Sequence, residues 1–157
     1  MGKKSYVRFI KGEKRIEELT SEELAYLAGV IDACGALELD RRLEPQLRIE
    51  KRSDLPKLIA LKIGGYLRYR KPNKGNQYYR YALALRGEIL RDLVARIKPL
   101  LRTNKREIGI SLLLQAFEAE DLETLHGINR QLRKREMNRR LGEFVRKDSS
   151  WFFSYEQ

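Results

Sequence analysis

The chain has 157 residues, 42% of them hydrophobic, and its 33 Lys and Arg against 22 Asp and Glu give a formal net charge of +11. That length supports one buried core rather than two, and the apolar content excludes a wholly disordered chain. A single cysteine, Cys34, and a single histidine, His126, exclude an internal disulfide, a structural His/Cys zinc site and a Ser-His-Asp or Cys-His hydrolase within one chain.

No apolar run approaches the ~20 residues that cross a bilayer, and Met1-Gly2-Lys3-Lys4-Ser5-Tyr6 lacks the apolar core of a secretory signal. The expectation is an intracellular, non-secreted protein with no membrane partner. The charge of +11 points instead to a polyanion, because phosphate backbones reward clustered Lys and Arg through counterion release.

In chain order, residues 1–20 are basic and weakly periodic and read as an N-terminal arm, ahead of a single domain over 21–157. Thr20-Ser21-Glu22-Glu23 supplies an N-cap followed by acids, and Leu24, Leu27, Ala28 and Ile31 recur at helical spacing, so a helix is predicted over 21–34. Its other side carries Ala25, Gly29 and Ala33, small enough for a second helix to come close. After Gly35 the period drops to two, and Leu37, Leu39, Leu47 and Ile49 alternate with polar residues on either side of a turn with Pro45. That is a β-hairpin pattern.

A helix is predicted over 54–63, with Asp54 as cap, Pro56 in the first turn and Gly64-Gly65 as the stop. A second hairpin follows, with strands over 66–71 and 77–85. Two amphipathic helices are expected over 87–100 and 105–117, and a last one over 121–144. Between Arg130 and Lys147 lie eight Lys and Arg against Glu136 and Glu143.

This order predicts an α+β fold, with a four-stranded antiparallel sheet and helices on one face. The uncovered face would carry Glu38, Asp40, Arg42, Gln46, Arg48, Arg68, Arg70 and Arg80. Such residues suit base edges, since Arg forks onto guanine, Gln onto adenine, and a carboxylate accepts from cytosine. A solvated face is the alternative. Solvated faces ordinarily mix Lys, Glu and Thr, whereas Arg and Gln dominate here, with Tyr66, Tyr69 and Tyr78 close by in sequence.

Leu27-Ala28-Gly29-Val30-Ile31-Asp32-Ala33-Cys34-Gly35 resembles the LAGLIDADG motif of homing endonucleases, with Val30 a conservative change. The likeness continues in Ile63-Gly64-Gly65-Tyr66-Leu67-Arg68-Tyr69-Arg70, which looks like the approach to the family's third strand. It ends in Ile97-Lys98-Pro99-Leu100-Leu101-Arg102-Thr103-Asn104-Lys105, similar to a stretch that closes on a basic residue. Residues 20–118 are covered; about 119–157 lie outside it. One motif copy is similar to the single-motif, homodimeric branch of this intron-encoded family. The resemblance implies an αββαββα fold whose four-stranded saddle lies in the DNA major groove. It also implies a dimer seam of paired motif helices at Gly29 and Ala33, with Asp32 making polar contacts there. A two-fold protein of this kind reads a long pseudo-palindromic duplex site.

In the family the acid at the eighth motif position holds a divalent metal, Mg or Mn, and the resemblance places that site at Cys34 and the Gly35 backbone. A thiol is a poor ligand for a hard cation. Asp32 is no substitute, because residues two apart on a helix point ~200° away from each other. Lys51 matches the family's polar residue at the attacking water, and Lys105, or Asn104 with a one-residue slip, matches the lysine near the scissile phosphate. The leading expectation is therefore a homodimeric reader of double-stranded DNA that cleaves poorly or not at all. The alternatives are an active endonuclease and an RNA-binding maturase.

Overall fold

A computed structural model describes residues 5–51, 53–70, 81–102 and 104–148, and the side chains of these except 5, 6, 70, 104, 105 and 137–148. The elements are β1 (Ser5–Ile10), α1 (Ser21–Cys34), β2 (Gly35–Leu39), β3 (Pro45–Lys51), α2 (Leu55–Ile63), β4 (Gly65–Arg70), β5 (Tyr81–Arg86), α3 (Gly87–Ile97), α4 (Asn104–Glu118) and α5 (Leu122–Asp148). The Thr20 hydroxyl accepts from the Glu23 N–H at 3.1 Å, and Glu23 Oε1 accepts from the Thr20 N–H at 3.0 Å. This reciprocal cap starts α1 as its sequence predicts. Asp54 precedes α2 but makes no side-chain cap bond. Gly64, at a φ of 89°, ends that helix in a conformation side-chain-bearing residues rarely adopt.

All strand pairs are antiparallel, in the order β1-β4-β5-β3-β2. Among the described residues the sheet thus has five strands, where the sequence pattern accounts for four. The fifth is β1, from the stretch read as an arm, and it pairs with β4 from Ser5↔Arg70 to Ile10↔Gly65. Past β1 the chain is clamped to the end of α2. The N–H groups of Glu13 and Lys14 donate to the Leu61 and Lys62 carbonyls, both at 3.0 Å, satisfying acceptors that a helix C-terminus leaves open. A Cβ on Gly12 would lie 2.3 Å from the Ile63 carbonyl carbon, so only glycine passes there.

The helices cover one face of the sheet. Leu37, Leu47, Ile49, Leu83 and Leu85 point from the strands into a core closed by Ile31 of α1, Ile59 and Ile63 of α2, Leu90, Leu93 and Ile97 of α3, and Ile110 and Leu113 of α4. The strand period of two sends the intervening residues to the opposite, uncovered face. The long α5 packs against α4 and along β2, burying Ile128 and Leu132 while Arg130, Arg133 and Lys134 stay exposed. His126 is exposed on the same helix. Among the described residues no helix is long and apolar enough to cross a membrane.

Candidate functional site

The central strand of the uncovered face is β5, and its contribution there is small: Ala82 and Ala84. Neighbouring strands carry longer side chains, with Gln46, Arg48 and Glu50 on β3 and Tyr66 and Arg68 on β4. Small residues between large ones make a trough of about 430 Å³ along the middle of the sheet, lined also by Arg86 and by Val7 of β1.

Arg48 and Arg86 are paired with acids of the same face. The Arg48 guanidinium lies 3.0 Å from Glu38 and 3.1 Å from Glu50, all three side chains about one-third exposed. Arg86 lies 3.7 Å from Asp40. Under this cluster Gln46 is 7% exposed, and its Oε1 and Arg48 Nε are buried without hydrogen-bond partners. A buried unpaired oxygen is costly, so the arrangement favours any incoming donor that reaches it. Asp40 has a further structural duty. Its Oδ1 accepts from the N–H groups of Arg42 and Glu44, at 2.8 and 3.0 Å, and so builds the β2–β3 turn. Arg42 stands exposed at the tip of that turn.

A second surface runs along α1. Ala25, Gly29 and Ala33 form an exposed ridge beside Tyr26, itself 61% exposed, and a Cβ on Gly29 would meet nothing within 4 Å. On one flank a shallow groove is lined by Asp32, Pro99, Leu100 and Arg102. On the other, Cys34 of α1 and Lys51 of β3 line a common apolar groove with Val30 and Leu55. Lys51 lies on the helix side of the sheet, opposite the trough, as its register partner Tyr81 does. Asp32 is turned the other way, its Oδ2 accepting from the Arg102 N–H at 2.8 Å.

No model of a known protein family and no curated protein matches this chain. The residues themselves therefore carry the functional argument. Cys34 Sγ donates to the Val30 carbonyl at 3.2 Å within its own helix, and Gly35 is buried and paired with Ile49. A hard divalent cation takes oxygen ligands, and position 34 offers a thiol engaged as a donor. Among the described residues no group of three or more His, Cys, Asp or Glu side chains is placed to hold a metal ion. The residue present at position 34 does not fit magnesium.

Of the residues expected on the uncovered face, Glu38, Gln46, Arg48 and Arg68 share it, and Asp40 and Arg42 stand at its end. Arg70 shares the parity of Arg68, with its side chain outside the described residues, as is that of Lys105; Arg80 and Tyr78 lie outside them altogether. Tyr69 faces the helix side, its ring 5.4 Å from that of Tyr81. Sequence reasoning missed Glu50 and Arg86 in the trough, although the same alternation that selects Arg48 selects Glu50. It also missed Val7 and Phe9, because a six-residue edge strand among basic residues carries little periodic signal.

Proposed function

We propose that the protein binds a long pseudo-palindromic site in double-stranded DNA as a homodimer with the LAGLIDADG endonuclease fold. In this reading metal-dependent cleavage is lost or strongly weakened, because Cys34 stands where the family carries its metal-binding acid. The observation that carries the proposal is the uncovered trough, where Arg48, Arg68, Arg86 and Gln46 converge with carboxylates on a chain of net charge +11. Each of these groups has a base edge it suits. From α1 through β5 to α3 the elements run αββαββα, the order the motif implies, with β1 added at the edge. The exposed Ala25-Gly29-Ala33 ridge supports a two-fold contact between motif helices, since small residues let helix backbones approach closely.

The ion pairs suggest how selectivity arises. A phosphate can also accept both N–H groups of Arg48, but Glu38 and Glu50 beside it repel that charge, so the cluster favours the uncharged two-acceptor edge of a guanine.

Affinity selection from a randomised duplex library, run beside cleavage of the same library with magnesium and then manganese, tests the proposal. Enrichment of a long pseudo-palindrome without cutting is the expected result. Cutting by the unmodified protein would overturn the loss of cleavage and favour an active endonuclease. Stronger retention of structured RNA than of duplex at fixed salt would favour the maturase reading. Cys34→Asp gains cutting if the acid alone is missing.

A further inference from the structure

The fifth strand gives the trough a wall of different chemistry. Val7 and Phe9 project from β1 onto the uncovered face, beside Arg68 and Tyr66 of β4, and remain 53% and 55% exposed. The Phe9 and Tyr66 rings meet edge-on with centroids 5.2 Å apart, and the Arg86 guanidinium lies 5.5 Å over the same Tyr66 ring. The apolar strip is thus braced by its neighbours. It is also continuous with the arginine-lined floor, since Val7 borders the depression that Arg68, Ala84 and Arg86 line.

Whatever covers this strip must bring apolar groups and negative charge together. A second copy of the chain meets that condition poorly, because the acids on its matching face, Glu38, Glu50 and Asp40, are already paired with Arg48 and Arg86. The major groove of duplex DNA meets it. Phosphates line its lips, and the apolar group on its base edges is the pyrimidine 5-methyl of thymine, which apolar side chains contact. Residues i and i+2 on one strand face stand ~6.8 Å apart, close to two base steps of ~3.4 Å.

Resting on the DNA-binding reading above, we propose that Val7 and Phe9, backed by Tyr66, recognise pyrimidine 5-methyl groups, so that the preferred site carries thymines in the stretch lying against β1. The chemistry recognised is the methyl group, which thymine and 5-methylcytosine share.

The test uses the whole 157-residue chain and the duplex selected from the library. Each thymine is replaced singly by deoxyuridine, which removes the methyl and nothing else. At one or two positions this lowers affinity about fourfold, the value of one buried methyl. In Phe9→Ala and Val7→Ser, both at exposed positions, the deoxyuridine penalty at those positions shrinks towards none, while the thermal midpoint confirms that the fold persists. Replacing the T·A pair there by 5-methylcytosine·G separates the two sources. Affinity above that of the unmethylated C·G duplex means that the methyl is read on either base, and no such gain restricts the contact to thymine. Tolerance of deoxyuridine at every position, or a penalty undiminished in both variants, overturns the proposal while leaving DNA binding intact. Failure to select any duplex overturns the reading beneath it.

Discussion

The Asp32 carboxylate accepts a hydrogen bond from the main-chain N–H of Arg102 at 2.8 Å, tying α1 to a segment 70 residues further along the chain. The family resemblance places this side chain in a dimer contact, yet here it already works within one subunit. Asp32→Ala should lower monomer stability by about 1–2 kcal/mol in urea unfolding at low concentration, whereas Asp32→Asn, which keeps an acceptor, should cost less than half of that. Equal losses for the two variants would mean that a neutral amide oxygen cannot replace the carboxylate here, and no loss in either would mean that the bond contributes nothing.

Gly29 offers a way to separate folding from association. Since a Cβ there meets nothing within 4 Å, Gly29→Leu should not destabilise the folded chain and should gain up to about 0.8 kcal/mol from helix propensity. If α1 forms the proposed two-fold contact, the same substitution should weaken self-association at least about tenfold in sedimentation equilibrium, because a bulky residue holds two helices apart. An unchanged dimer would remove the α1 ridge from the interface.

Gly12→Ala should destabilise the chain by about 2 kcal/mol or more, measured by thermal or urea unfolding. Its Cβ would strike the backbone of Ile63 and Gly64, which cannot yield as a flexible side chain would. A neutral result would show that the clamp between β1 and α2 is dispensable.

Glu23 sets an acid limit on stability. Its carboxyl is held from the usual 4.5 down to about 2, chiefly by the Thr20 backbone N–H and then by Lys14 at 2.9 Å and Lys62 at 3.1 Å. The folded chain therefore releases this proton more readily than the unfolded one. The resulting stabilisation is complete above the ordinary range, fades as pH falls from 4.5 towards 2, and is gone below it. Glu23→Gln should flatten the midpoint-versus-pH curve across that window; an unaltered slope would assign the acid sensitivity elsewhere.

On the trough, Glu50→Gln should raise affinity for random duplex several-fold, since one repulsive carboxylate and one competitor for Arg48 are removed, and should lower the ratio of specific to random binding. Arg68→Ala should cost about 1–3 kcal/mol on the selected site and much less on random DNA. Fluorescence anisotropy at fixed salt distinguishes these outcomes, and equal losses on both duplexes for Arg68→Ala would demote it to a phosphate contact.

Much of this architecture was legible in the sequence because each element carries its own physical mark. The Thr20–Glu23 box, the change of period at Gly35 and the Gly64-Gly65 stop locate α1, β2 and the end of α2 within a residue or two. The alternation of Leu47 and Ile49 with Gln46 and Arg48 separates core from trough. What escaped depends on distant partners. Val7 and Phe9 gain meaning only once β4 lies beside them, and Asp40 reads as a base-facing acid of the uncovered face until the tight turn claims its Oδ1. Asp32 likewise shows its subunit-internal role only through Arg102.

The clamp around Gly12 has one more consequence. With β1 seated, the outward row of amides and carbonyls on β4 is occupied; without it, that row would be an open template beside the exposed tyrosine at 66. Strand edges of that kind recruit other strands. Residues 5–10 therefore replace an open β4 edge by that of a six-residue strand carrying Arg8, and a shortened chain that began at the α1 cap would be expected to lose solubility before it lost its helices.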